Sequence, residues 1–167
     1  PSLAHPESLQ KDQKHNRLLV KLPGANSIAV IDIAALKHLT TWKTSELRAN
    51  FPMTLDVAAD QSIIGYRHPA VLVAYNNVTE KEIARTDLIG DVDDVFYDET
   101  KQLVYATGGG GAINIFKKES NRFTKVANIP TRSGARTSLL IPSMQTFIIA
   151  QQANGGRHAS IAVYKVK

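Results

Sequence analysis

The stretch Leu103-Val-Tyr-Ala-Thr-Gly-Gly-Gly-Gly-Ala-Ile-Asn-Ile-Phe-Lys117 decides the fold class of this chain. Two short runs that are rich in β-branched and aromatic residues flank four consecutive glycines, and such runs are typical of buried strands. Glycine adopts the positive φ angles that tight turns between strands require. The stretch therefore predicts an antiparallel hairpin over residues 103–117.

The same order of strand, turn and strand occurs four times along the chain. The second strands of the four hairpins align on Asp32, Tyr75, Phe116 and Tyr164, at intervals of 43, 41 and 48 residues. The four turns between the paired strands are Pro23–Asn26, Arg67–Ala70, Gly108–Gly111 and Asn154–Arg157. A period of roughly 20 to 50 residues indicates a repeat architecture, in which each unit repeats one supersecondary motif.

Each hairpin is accompanied by further predicted strands. Apolar runs that precede the four hairpins lie at residues 6–9, 51–55, 94–97 and 136–141, with polar turns predicted at Asp12, Asp60, Thr100 and Ser143. Alternating runs that follow the first three hairpins lie at residues 39–42, 83–86 and 123–129, and the fourth unit has none. Four antiparallel strands repeated about every 42 residues predict an all-β β-propeller. An immunoglobulin-like sandwich or a barrel is the alternative.

The predicted propeller contains four four-stranded blades, the last of them incomplete. The repeat units extend over residues of about 5–43, 50–88, 91–130 and 134–167 within one propeller domain, which is either partial or four-bladed.

Composition agrees with a folded globular chain and excludes several other classes. The chain has 167 residues, of which 43% are hydrophobic and 21% are charged, so disordered, collagen-like and coiled-coil classes are excluded. No apolar run approaches the roughly 20 residues of a membrane helix. Because there is no cysteine, disulfides, thiolate metal sites and c-type haem attachment are excluded. The first residue is proline and no leader sequence precedes it, so we expect a processed chain or a piece of a longer one.

The net charge of +5 is distributed unevenly along the sequence. Residues 1–100 contain ten Lys or Arg and fourteen Asp or Glu, whereas residues 101–167 contain ten and one. We expect the two halves to attract each other or to expose fields of opposite sign. The basic residues are scattered rather than clustered, which favours a solvated face over a nucleic-acid site.

Several sequence strings resemble a known family. These strings are His5–Ser8, Arg48–Met53, Tyr66–Ala70, Asp91–Asp98 and Ile129–Ser138. They resemble the C-terminal half of bacterial YVTN-type β-propeller repeat proteins, which are often described as cytochrome-d1-haem-domain-like and lack one agreed chemistry. The resemblance covers His5 to Val166 and implies relatives of about twice this length that carry an export signal, which suggests a periplasmic location.

The resemblance also has implications for partners. Four blades with an unfinished last blade resemble half of a seven- or eight-bladed ring, and such a half has an unpaired strand edge. We expect self-association into a dimer that completes the ring, completion by a missing N-terminal half, or a compact four-bladed propeller.

The polar residues of the turns indicate where a ligand binds. Antiparallel strands reverse at each turn, so the loop that enters each innermost strand lies at the same end of the blade as the hairpin that joins the second and third strands. We call this end of the predicted central channel the channel mouth. Its candidate ligand-binding residues are His5, Glu7, Arg48, Asn50, Arg67, His68, Asp91, Asp93, Asp94 and Arg136.

These residues predict a non-enzymatic scaffold that binds a small anionic ligand or a protein partner at the channel mouth. Arg48, Arg67 and Arg136 present guanidinium groups that can fork onto a carboxylate or a phosphate. A structural interpretation is also open, in which Asp93 or Asp94 pairs with these arginines and holds neighbouring blades in register.

Other chemistries have less support in the sequence. His5, Glu7, Asp91 and Asp93 could hold a divalent ion, but they form no recognised metal motif, and we expect neither a metal nor another cofactor. No nucleophile elbow is present, and the glycine run lacks the Lys-Ser or Lys-Thr of a phosphate loop. A lactonase-like hydrolase that uses channel-mouth His and carboxylate residues is the alternative function. Binding of single-stranded nucleic acid needs exposed aromatic rings, whereas the strand pattern predicts most rings to be inward.

Overall fold

The computed structural model describes residues 6–44, 46–49 and 52–166. These residues contain fifteen β-strands. They form four antiparallel sheets, which we call blades 1 to 4, and in each blade the strands are neighbours in chain order. Blade 1 contains β1 (Leu9–Asp12), β2 (Arg17–Leu22), β3 (Ser27–Asp32) and β4 (Lys37–Lys43). Blade 2 contains β5 (Met53–Asp56), β6 (Gln61–Arg67), β7 (Ala70–Asn76) and β8 (Glu82–Asp87).

The second half of the chain follows the same plan. Blade 3 contains β9 (Val92–Asp98), β10 (Leu103–Gly108), β11 (Ala112–Glu119) and β12 (Arg122–Pro130). Blade 4 contains β13 (Ser138–Ile141), β14 (Thr146–Gln151) and β15 (Ser160–Lys165). Two 3₁₀ turns lie at Pro23–Ala25 and Pro142–Met144. Neither these turns nor anything else in the described ranges forms a helix that could cross a membrane.

The innermost strands differ most from the predicted bounds. The structure places β1 at Leu9–Asp12 rather than residues 6–9, so Asp12 ends the strand, where it pairs with Arg17 across the ladder, and is not part of the turn. The equivalent carboxylates of Asp56 and Asp98 accept hydrogen bonds from the backbone N–H groups of Ala59 and Lys101, at 3.0 and 3.1 Å. An aspartate at this position therefore ends the strand and caps the turn that follows.

The repeat also appears in the backbone of these turns. The last turn residue before the second strand of every blade has a positive φ angle: Asn16, Asp60, Gln102 and Gln145. All four are Asn, Asp or Gln, and each occupies a left-handed turn position that favours glycine.

The core lies between adjacent blades. Trp42 of blade 1 packs in one cluster with Tyr66 of blade 2, and Leu72 of blade 2 packs in a second cluster with Phe116 of blade 3. Between blades 3 and 4, the rings of Tyr105 and Phe147 stack with their centroids 5.6 Å apart. The innermost strands accordingly pack in the order β1, β5, β9 and β13.

The two terminal blades each leave one face uncovered by the described chain. On blade 4, Ile148 pairs with both Leu139 and Val163, so these side chains share a face. Leu139, Ile161 and Val163 of that blade are 51%, 70% and 62% exposed. On blade 1, Leu9 is 59% exposed. Both ends of the row of blades therefore present apolar surface to solvent.

Candidate functional site

The channel mouth is held together first by backbone contacts. Arg48, in the loop that enters blade 2, exchanges hydrogen bonds with His68 in the hairpin of the same blade, at 2.9 and 3.3 Å between N and O. The entering loop and the hairpin thus lie side by side at one end of the blade. Two of the predicted site residues, His5 and Asn50, lie outside the described residues.

Four charged side chains form a continuous network across blades 2, 3 and 4. Arg67 contacts Asp93 at 2.5 Å and Asp91 at 3.2 Å, measured between guanidinium nitrogens and carboxylate oxygens. The second oxygen of Asp91 accepts hydrogen bonds from Nε and Nη2 of Arg136, at 2.8 and 2.5 Å. Two arginines and two aspartates therefore balance one another at the channel mouth.

The two arginines of this network differ in their structural contacts and in the exposure of their side chains. Arg67 also donates from Nε to the carbonyl of Val92 at 2.9 Å, and its side chain is 20% exposed. The side chain of Arg136 is 46% exposed. The geometry favours a structural role for Arg67, which fixes blade 2 against the start of β9, and leaves Arg136 accessible to a ligand.

Asp94 lies in a separate hydrogen-bonded group. Its Oδ2 accepts bonds from the backbone N–H and the hydroxyl of Ser138, at 2.6 and 3.0 Å. The hydroxyl of Ser138 is also 2.8 Å from that of Thr107. Burial raises the pKa of Asp94, and the hydrogen bonds from Ser138 oppose this effect. Asp94 therefore ties the start of β13 to the start of β9.

The four glycines pack tightly against the loop that enters blade 3. The N–H of Gly109 donates to the carbonyl of Asp91 at 2.9 Å, and that of Gly110 donates to the carbonyl of Gly90 at 3.0 Å. A Cβ on Gly108 would lie 2.6 Å from the carbonyl oxygen of Asp91. The run is a hairpin, as its sequence indicates, and its lack of side chains allows two backbone segments to approach each other.

Two cavities adjoin the network at the channel mouth. The first, of about 530 Å³, lies between Asp93, Arg136 and the β14–β15 edge of blade 4. The second, of about 280 Å³, lies between the innermost strands of blades 1, 2 and 3 and also has Asp93 in its wall. Gln10 and Thr54 contribute polar groups to the second cavity. A ligand at the mouth could therefore contact Asp93 from either side.

A buried lysine near the mouth is the residue that the sequence analysis missed. Lys21 is fully buried, and its Nζ has no hydrogen-bond partner within the described part of the chain. Burial lowers its pKa to about 7, while the negative charges of Glu7 and Asp93 act in the opposite direction. Glu7, a predicted site residue, also donates its N–H to the Lys21 carbonyl at 3.2 Å. The inward register that Lys21 shares with Leu19 on β2 is the signal that could have revealed it.

One cluster with metal-ligand character lies at the opposite end of the blades. Asp12, His15 and Asp60 bring potential ligand atoms within 4.8 Å of one another. His15 Nε2 is 2.9 Å from both carboxylate oxygens of Asp60, and Lys14 contacts Asp60 at 3.2 Å. Arg17 pairs with Asp12 at 2.8 Å. Lys14 and Arg17 already compensate the carboxylates, and the contact between His15 and Asp60 connects blades 1 and 2.

Comparisons with known proteins identify the class to which this architecture belongs. No family model and no curated protein matches the sequence. The structure is similar to Kuenenia stuttgartiensis hydrazine synthase, with a TM-score of 0.84 and 12% identity over 99% of this chain and 47% of that one. It is also similar to a chain in the crystal structure of the mitotic checkpoint complex, with a TM-score of 0.78 and 15% identity over 97% of this chain and 50% of that one.

At these identities the similarity shows the fold alone. The chain has the fold of a β-propeller with WD-like blades, which confirms the all-β propeller predicted from the repeat. It spans about half the length of the propeller chains that it matches, and its four sheets of four, four, four and three strands correspond to half of such a structure.

Proposed function

We propose that this chain is a non-enzymatic binding scaffold that holds a small polar ligand at the channel mouth. The observation that carries the proposal is the cavity of about 530 Å³ that has both Arg136 and Asp93 in its wall. Its volume lies within the range of small-molecule sites, which is about 300 to 1,000 Å³.

The charges at the mouth specify the kind of ligand. Arg136 directs Nε and Nη2 toward Asp91, and its Nη1 has no hydrogen bond within the described ranges. Asp93 contributes a carboxylate to the same cavity, and its side chain is 36% exposed although it contacts Arg67. A ligand that carries both an acidic group and hydrogen-bond donors, such as an amino acid, would match this pair better than a simple anion.

The test is a titration of the ¹⁵N-labelled chain with glutamate, citrate and glucose as separate probes, followed by NMR. We expect glutamate to shift the amide signals of residues around the cavity, and Arg136→Gln to weaken its binding at least tenfold. Arg85→Gln is the matched control, because Arg85 pairs with Glu82 on β8 and lies outside the cavity. Unchanged affinity in Arg136→Gln, or shifts confined to other surfaces, would overturn the proposal.

We also propose that the chain is one half of a YVTN-type propeller ring of an exported bacterial protein. The sequence strings that resemble this family, and the match to about half of two larger propeller chains, support the proposal. The exposed apolar faces of blades 1 and 4 supply the surfaces that the rest of the ring would cover.

Charge decides which partner completes the ring. Residues 1–43 contain six Lys or Arg and three Asp or Glu. Residues 131–167 contain five Lys or Arg and no Asp or Glu. Closure by a second copy would place blade 1 against blade 4 twice, so two basic blades would meet at each junction. Net charge of the same sign on two facing blades opposes their association. The partner is therefore a different propeller segment with an apolar face and surplus carboxylates.

A further inference from the structure

Another cavity on blade 4 has a charge environment unlike that of the cavity that contains Arg136 and Asp93. It has a volume of about 650 Å³ and lies between the loop that enters β13 and the hairpin that joins β14 to β15. We call it the rim pocket. Polar residues dominate its wall: Thr131, Arg132, Ser133, Gln151, Asn154 and Arg157.

Arg132 is fixed at one side of the rim pocket without a carboxylate. Its Nη1 donates to the carbonyl of His158 at 2.5 Å and lies 3.4 Å from the carbonyl of Gln152. These two contacts orient the guanidinium, yet neutral carbonyls do not cancel its charge. Nε and Nη2 of Arg132 make no hydrogen bond within the described residues, so they remain available as donors.

Arg157 adds a second cation that has no ion-pair partner in the part of the chain that the structure describes. No Asp or Glu occurs after Glu119 in the sequence, so blade 4 has no carboxylate of its own to offer. The contrast with Arg67 and Arg136 is direct, because Asp91 and Asp93 compensate those two residues.

Two hydroxyl groups extend the donor set of the rim pocket. Thr131 Oγ1 is enclosed and has no hydrogen-bond partner within the described ranges. Ser133 Oγ makes only a long contact of 3.4 Å to the carbonyl of Gly109. An enclosed hydroxyl without a partner costs stability, and rotation of the Thr131 side chain toward an acceptor bound in the rim pocket would remove that cost.

We propose that the rim pocket binds the phosphate group of a small ligand. Arginine presents a planar fork of donors that matches phosphate oxygens, and two such forks with two hydroxyls supply more donors than a carboxylate can accept. The proposal concerns a site at the same end of the blades but distinct from the cavity that contains Arg136 and Asp93, and it assigns anion binding to Arg132 and Arg157 rather than to the predicted Arg48, Arg67 and Arg136.

The test is a calorimetric titration with inorganic pyrophosphate at constant ionic strength. We expect binding of one equivalent, and at least a tenfold loss of affinity in the double variant Arg132→Gln/Arg157→Gln. The charge-matched control is Arg85→Gln/Arg122→Gln, which also removes two positive charges, from residues that pair with Glu82 and Glu119. Its affinity should stay within twofold of the original.

A third variant separates the effect of donor geometry from that of charge. It also keeps the proposal testable if the double variant misfolds. Arg157→Lys keeps the charge on an exposed hairpin but loses the fork, so we expect a loss of affinity of about threefold to tenfold with an unchanged circular dichroism spectrum. The proposal is overturned if the original chain binds no pyrophosphate at millimolar concentration. It is also overturned if the charge-matched control loses affinity as much as the Arg132→Gln/Arg157→Gln variant.

Discussion

Lys21 shows how one buried residue can make the stability of the fold depend on pH. It lies fully buried on β2, and its Nζ has no hydrogen-bond partner within the described residues. Burial lowers its pKa from 10.5 to about 7. Since a shift of one pKa unit corresponds to about 1.4 kcal/mol, keeping this amine buried is costly to the folded state near neutral pH.

The expected consequence is a rise of stability with pH that depends on Lys21. Between pH 7 and 10.5 the unfolded chain binds a proton that the folded chain has lost, so the free energy of unfolding increases with pH across this window. Lys21→Met should remove this increase and should stabilise the protein at pH 7 by about 1 to 4 kcal/mol. Urea unfolding of both proteins at pH 7 and pH 9.5 measures the difference. Parallel pH profiles for the two proteins would show that Lys21 stays protonated in the fold.

At the scale of the strands and turns, the glycine hairpin of blade 3 positions the site. Its backbone donates to the loop around Asp91, the residue that joins Arg67 to Arg136. A neighbouring element contributes a buried ion pair, in which Lys118 of β11 contacts Asp56 of β5 at 2.8 Å. Hairpin packing thus fixes the loop around Asp91, and the buried charge pair fixes blade 3 against blade 2.

Replacement of a single glycine tests this packing. Gly108→Ala places a Cβ against the carbonyl oxygens of Asp91 and Gly90, at 2.6 and 2.7 Å, and should lower the free energy of unfolding by about 1 to 3 kcal/mol. Gly90→Ala is the matched control, because a Cβ there meets nothing within 4 Å and should change stability by less than about 0.5 kcal/mol. Urea unfolding at pH 7 measures both variants. Equal losses in the two variants would contradict the close approach described here.

The elements differ in how well the sequence predicts them. The glycine hairpin is predicted over residues 103–117 and is observed there as β10 and β11, because two runs rich in β-branched and aromatic residues flank a clear turn. The first strands of blades 1 and 2 are displaced from their predicted bounds because the aspartate that ends each of them, Asp12 or Asp56, is polar and yet buried. Side-chain periodicity does not reveal a buried carboxylate that caps its own turn.

The sequence predicts where the candidate site lies but not which of its charged residues pair with each other. Reversal of antiparallel strands places the entering loops and the hairpins at one end, and the structure brings Arg67, Asp91, Asp93 and Arg136 together there. Which arginine pairs with which aspartate depends on distances across three blades, and spacing in the sequence carries no information about such distances. Whether these residues bind a ligand stays a prediction.

At the scale of the whole molecule, the described chain forms half of a propeller with two uncovered apolar faces. A full ring buries such faces between blades, so the exposed Leu139, Ile161 and Val163 agree with the proposal that another segment completes the ring. The uneven charge predicts attraction between the two halves of the sequence. Over the blades, however, the charge does not divide into an acidic half and a basic half. Blades 1 and 4 are both basic, and blades 2 and 3 contain most of the carboxylates.

The most direct test of the central claim, that this half ring is completed by a different acidic segment, is the mass of the chain in solution by light scattering. In about 0.15 M salt at low micromolar concentration, we predict a particle with the 18.3 kDa mass of one chain. A stable particle of twice that mass would contradict the account, because it would show that two basic half rings close on each other.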